Sequence, residues 1–169
     1  MKREVNYRKR LKLLKSNLPR FVVRKTDSRI IIQIIEYSQG GDKTLASVYS
    51  DELRKFGWEL GIKNIPAAYL SGLLIGKKSS AREAILDSGS RTLKKDSFIY
   101  FAVKGAQEAG LNLHAGELPL DNERIFGAHI SSYAASSKEK QFSRITSEKA
   151  KNIKEYVNKS IEKINAYGK

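Results

Sequence analysis

The feature that most constrains this chain is the run Ile30 to Glu36, IIIQIIE, set between two clusters of turn-forming residues. Isoleucine is stiff at χ1 and packs well on a pleated surface, so such a run favours a strand over a helix. Its centre is apolar on both faces, which predicts a position in the middle of a sheet. Phe21 to Arg24, before it, is again apolar and β-branched. Thr26-Asp27-Ser28 supplies a turn between the two, because Asp and Ser side chains fold back onto their own backbone. Gly40-Gly41-Asp42 supplies the next turn, and Thr44 to Tyr49 returns. Strand-like runs separated by Gly, Asp and Ser clusters predict a three-stranded antiparallel meander.

From Ser50 the period changes. Ser50 or Asp51 can cap a short helix carrying Leu53, Phe56 and Trp58, which Gly57 and Gly61 break. Asn64 before Ile65-Pro66 is a good N-cap followed by a first-turn proline. Ala67, Leu70, Leu73 and Leu74 then make one apolar face, ending at Gly76-Lys77-Lys78. A short strand, Ala84 to Leu86, is closed by Asp87-Ser88-Gly89. Ser97 caps a further helix whose Phe98, Phe101, Ala102, Ala106 and Ala109 recur at helical spacing, with Gly110 as the stop. Helices and a strand after a meander predict an α/β domain: the meander extended into a mixed sheet with helices packed on it. Residues 112–146 read mostly as loop, with a short helix near Glu123–Phe126. Residues 147–166 carry Ile153, Tyr156, Val157, Ile161 and Ile164 on one stripe, an amphipathic helix that either packs on its own domain or docks on a partner.

Charge is distributed unevenly along this plan. Residues 1–29 hold eleven Lys/Arg against Glu4 and Asp27, and residues 138–169 hold nine against four Glu, while residues 30–137 balance to zero. The formal excess of +14 therefore sits on the two ends. Like charge so concentrated resists compaction and is relieved by a polyanion, of which nucleic acid is the strongest candidate through counterion release. Residues 1 to about 19 interleave Arg and Lys with Tyr7, Leu11, Leu13 and Leu14 and end at Pro19. Arginine forks pair with phosphate and a tyrosine ring stacks on a base, so this is the composition of an arm that orders on RNA. Leu11 and Leu14 at helical spacing equally suit a short helix docked on the body. Residues 1–16 lack the Trp and Phe anchors of an interfacial helix, so no membrane partner is expected.

Other chemistry finds little support. The chain has no cysteine, which removes disulfides, thiol catalysis and thiolate zinc sites. His114 and His129 stand in loop-rich sequence without metal-ligand spacing, and no metal or other cofactor is expected. No glycine-rich loop has a phosphate-binding pattern. No apolar run reaches the roughly 18 residues of a membrane span, and the basic start lacks the hydrophobic segment of a secretory signal. The chain reads as soluble and intracellular, not an enzyme, with no small-molecule substrate.

The order PRFVVRKTDSRIIIQIIEYSQGGDKTLASVYS, GWELGIKNIPAAYLSGLLIGKK, AILDSG and KGAQEAGL over roughly residues 2–131 resembles the archaeal ribosomal protein L-eighteen family, whose eukaryotic counterpart is L-five. The resemblance implies an α/β domain that binds 5S rRNA and helps attach it at the central protuberance of the large subunit. Large-subunit rRNA and neighbouring ribosomal proteins are then further partners, and the location is the cytoplasmic ribosome. It divides the chain into a basic arm (1–19), a 5S rRNA-binding domain (20–131) and a loop with a C-terminal helix (132–169). It also implies that the arm residues Arg3, Tyr7, Arg8, Lys9, Arg10 and Lys12 run along RNA. Arg20, Arg24, Lys25, Thr26 and Arg29 of the first hairpin, with Lys43, Thr44 and Ser47 of the third strand, resemble RNA-facing positions. Lys77, Lys78 and Arg91 join them as basic residues at loop ends near the sheet. Two alternatives stand beside this: an RNA-processing or RNA-modifying enzyme on a related α/β fold, and a module whose basic ends bind anionic lipid.

Overall fold

The computed structural model describes residues 7–89, 92–116, 120–136 and 147–167. Its strands are β1 (Arg20–Lys25), β2 (Ile30–Glu36), β3 (Lys43–Tyr49), β4 (Glu83–Asp87) and β5 (Asn112–His114). They form one mixed sheet in the order β3-β2-β1-β4-β5. β1, β2 and β3 pair antiparallel as a meander, while β4 runs parallel to β1 and β5 parallel to β4. The α/β architecture expected from the sequence is present. One detail differs: β1 is the central strand, and isoleucine-rich β2 lies beside it. The reason is visible in β2's burial. Ile30, Ile32 and Ile34 are buried, while Ile31, Gln33 and Ile35 are only half-buried, so one of its faces is covered and the other is not.

The covered face belongs to the helices. Phe21, Val23, Ile32, Ile34, Val48 and Ala84 pack with Leu70, Leu74 and Phe101 in one core. These come from α2 (Ile65–Lys78) and α3 (Phe98–Glu108). The N-cap of α2 is the one the sequence predicts: Asn64 Oδ1 accepts a hydrogen bond from Ala67 N at 2.9 Å, and Pro66 fills the first turn. Every residue of α2 from Pro66 to Ile75 is buried. This is because α3 crosses it backbone to backbone and a third layer backs it. A Cβ at Gly72 would lie 2.0 Å from Ala102 O, and one at Gly105 would lie 2.2 Å from Tyr69 O. Only glycine at both positions permits so close a crossing.

The third layer is α6 (Ile153–Ala166), which buries Ile153, Val157, Ser160 and Ile164. Its apolar stripe therefore packs on the chain's own domain, which decides between the two alternatives that the sequence leaves open. The stripe is preceded by a separate short helix, α5 (Ser147–Lys151). The segment expected to be mostly loop contains β5, a 3-10 turn at Asn122–Arg124 and α4 (Ala128–Ser136), while residues 137–146 lie outside the described ones. Between β3 and α2 the chain makes a 3-10 helix, Ser50–Phe56, closed by Gly57 at φ 83°. At the N-terminus, α1 (Tyr7–Leu14) buries none of its residues.

Candidate nucleic-acid interface

Side chains alternate across a strand, so the residues between the core positions share the sheet's second face. The register aligns them in rows. Thr44, Ile35, Arg20, Ile85 and His114 form the row near α1, and Ser47, Gln33, Val22 and Asp87 form the next. Tyr49, Ile31 and Arg24 form the row nearest the β1–β2 turn. The floor thus mixes half-buried isoleucines with Gln33 and Ser47, and cations stand at both ends.

α1 is strapped across the sheet by its own cations, with anchors beyond β4 on one side and before β3 on the other. Lys9 Nζ donates to Ser88 Oγ at 2.7 Å and to Gly89 O at 2.9 Å, just beyond β4. Arg10 pairs with Asp42 Oδ2 at 3.0 Å, just before β3. The same Asp42 oxygen receives Arg20 Nη2 at 2.6 Å, and Arg20 Nη1 reaches Asp87 Oδ2 at 3.2 Å. Arg20 is buried, so two carboxylates satisfy its charge and it ties the centre of the sheet to both neighbours of α1. The sequence groups Arg20 with candidate RNA-facing residues; here its guanidinium is buried and paired with two carboxylates. Tyr7, Arg8 and Lys12 are exposed. Arg8 and Lys12 are four residues apart and so share one face of the helix.

The β1–β2 turn is closed by Thr26, whose Oγ1 accepts from Arg29 N and donates to Arg29 O, each at 3.0 Å. Thr26 therefore shapes the turn. Lys63 Nζ donates to Asp27 O at 2.7 Å, adding a cation that the sequence reading missed. Arg29 pairs with Asp51 at 2.8 Å and lies over the Tyr49 ring at 5.9 Å. Arg24 is exposed on the same face. Lys25 is not brought to this group: register puts it with Val23, and its ammonium lies 5.4 Å from the Phe98 ring at the start of α3. From Arg20 to Arg24 the chain advances four residues, roughly 13 Å at about 3.3 Å each. That exceeds the Debye length of roughly 8 Å at physiological salt, so exposed cations at the two ends are largely screened from one another.

The remaining candidates scatter. Lys43 and Thr44 are exposed at the α1 end of β3. Ser47 Oγ is buried in the middle row without a hydrogen-bond partner. Lys77 and Lys78 end α2 in the helical layer, away from the rows, and Lys78 is paired with Glu52. Arg3 and Arg91 lie outside the described residues. His129 is on α4. Its pKa is lowered, first by burial and then by the nearby Arg124 charge, against an opposing pull from Asp121. Among the described residues no group of three or more His, Cys, Asp or Glu could hold a metal ion, and no helix is long and apolar enough to cross a membrane.

Tyr49, like Lys63, lies at this face and is not among the residues that the sequence singled out. Its signal was available: period-two alternation from Ser47 puts Tyr49 on the same face.

The model of the family described as ribosomal large subunit proteins 60S L5 and 50S L18 matches residues 3–82. The large ribosomal subunit protein uL18 of Korarchaeum cryptofilum is 46% identical over 149 residues, covering 83% of this chain and 76% of that protein.

Proposed function

The chain belongs to the uL18 family of large ribosomal subunit proteins, and we propose that within the subunit it binds 5S rRNA and helps attach it at the central protuberance. Its membership makes it a constituent of the large subunit, with rRNA binding and a part in translation following from the family. The finer reading rests on the resemblance and on one observation above all. The sheet face not covered by α2 and α3 is crossed by α1 and carries exposed cations at its margins, so it offers phosphate contacts around a floor where bases can lie. The proposed role is structural, not catalytic.

In this reading the two ends divide the work. Exposed Arg8 and Lys12 on α1 take phosphates on one side, with Lys43 beside them. Arg24 and Arg29 do so at the hairpin, and Thr26 holds the turn that presents them. Lys9, Arg10 and Arg20 fix the arm to the sheet, so their contribution to RNA binding is to orient its neighbours. Folded RNA is read largely through shape, backbone and splayed bases, and this face suits such recognition.

Salt dependence tests the assignment. Each phosphate contact contributes about 0.7–0.9 to the slope of log affinity against log salt. The double variant Arg8→Ala, Lys12→Ala should weaken 5S rRNA binding and flatten that slope by about 1.5. An unchanged slope, measured by filter binding between low and moderate salt, would remove α1 from the interface.

A further inference from the structure

The end of this face nearest the β1–β2 turn carries an exposed aromatic ring, Tyr49. Tyr49 is 39% exposed; Tyr7, Tyr37, Tyr133 and Tyr167 are exposed too, and what marks Tyr49 is its place in a row of the sheet's second face. The strand's last residue is nevertheless held firmly. Its N–H donates to Glu52 Oε1 at 2.9 Å, and the neighbouring Ser50 Oγ accepts from Ile30 N at 3.0 Å, locking β3 to β2. Ile31 stands beside it in the register. The Arg29 guanidinium lies 5.9 Å from the ring centroid and is positioned by Asp51. A ring on a backbone held this way, with a planar cation nearby, offers a π surface beside positive charge.

We infer that Tyr49 is a base-stacking station: an unpaired base of the bound RNA lies against the exposed part of the ring, with Arg29 beside it. Charge favours RNA as the occupant, because Arg24, Arg29 and Lys63 gather at this end of the face. Every base has a π face, so stacking tolerates sequence, and Ala substitution at such platforms costs about five- to a hundredfold in affinity. The inference deepens the 5S rRNA reading and rests on it.

The test uses the full chain, 5S rRNA and a length-matched control RNA. Tyr49→Leu keeps an apolar side chain but removes the ring, and it should weaken 5S binding about fivefold or more with thermal stability retained. Tyr49→Trp places an exposed indole at the same point, and its emission should be quenched when 5S rRNA is added, over the constant background of buried Trp58. Preference for 5S rRNA by the wild type, with either unweakened binding by the Leu variant or an unquenched indole, would overturn the stacking alone. No preference for 5S rRNA by the wild type would overturn the reading beneath it and the stacking together.

Discussion

Replacing Asp42 by asparagine should cost the domain about 2–3 kcal/mol, and most of that loss should run through Arg20 and not through Arg10. Both guanidinium groups reach the same carboxylate oxygen, at 2.6 Å and 3.0 Å. Their surroundings decide the difference. The Arg10 side chain is 39% exposed, and an ion pair of that kind contributes about 0–1 kcal/mol. The Arg20 side chain is 7% exposed, so little water is available to make up for the charge-assisted hydrogen bond that asparagine weakens. Such bonds contribute about 1.5–3 kcal/mol. Breaking a fully buried pair costs about 3–5 kcal/mol, but Asp42 is itself 29% exposed, which holds the figure below that. At about 2–4 °C per kcal/mol for a chain of this size, Tm should fall by roughly 4–12 °C. Urea unfolding at neutral pH measures the loss, and a double-mutant cycle with Arg20→Gln and with Arg10→Gln apportions it. A loss below about 0.5 kcal/mol, or a stronger coupling to Arg10 than to Arg20, would refute the reasoning.

Gly105→Ala should destabilise by about 1–3 kcal/mol or more, because its methyl would meet Tyr69 O at 2.2 Å across the α2–α3 crossing. Chemical denaturation checks it, and a neutral result would mean that the helices are free to separate. Acid should weaken the junction after β3. Burial raises the Glu52 pKa, but hydrogen bonds from Lys78 and Tyr49 N, with the Lys78 and Lys55 charges, outweigh it and leave the pKa lowered. Its stabilisation is therefore complete above the ordinary glutamate value of 4.5 and is lost as pH falls through the lower folded value. Glu52→Gln should remove that part of the acid sensitivity, read as a smaller stability difference between pH 7 and pH 3; an unaltered difference would exclude Glu52 as its source.

Local chemistry made the meander and α2 legible. The Thr26 turn, the Gly40-Gly41 turn and the Asn64 cap each act within a few residues, so their signals stand in the sequence beside the elements they shape. β5 and α4 lack such signals. β5 is three residues long and exists by pairing with β4, 29 residues earlier at Glu83–Asn112. α4 is rich in Ser and Ala and buries only Ala134, so its place depends on packing with α5 and α6. The site follows the same division. Exposed arm and hairpin cations could be named from charge density. Arg20 could not be separated from them, because its carboxylate partners lie 22 and 67 residues away. Lys25 stands one step of the strand's alternation from Arg24, and its ammonium lies near the Phe98 ring.

The most direct test of the central claim is a filter-binding titration of the purified chain against 5S rRNA and a length-matched control RNA across a salt series. Preferential binding to 5S rRNA that survives moderate salt is the expected result, since shape and stacking add to the phosphate contacts. Equal binding to both RNAs, falling together as salt rises, would contradict it and leave only a basic protein attracted to any polyanion.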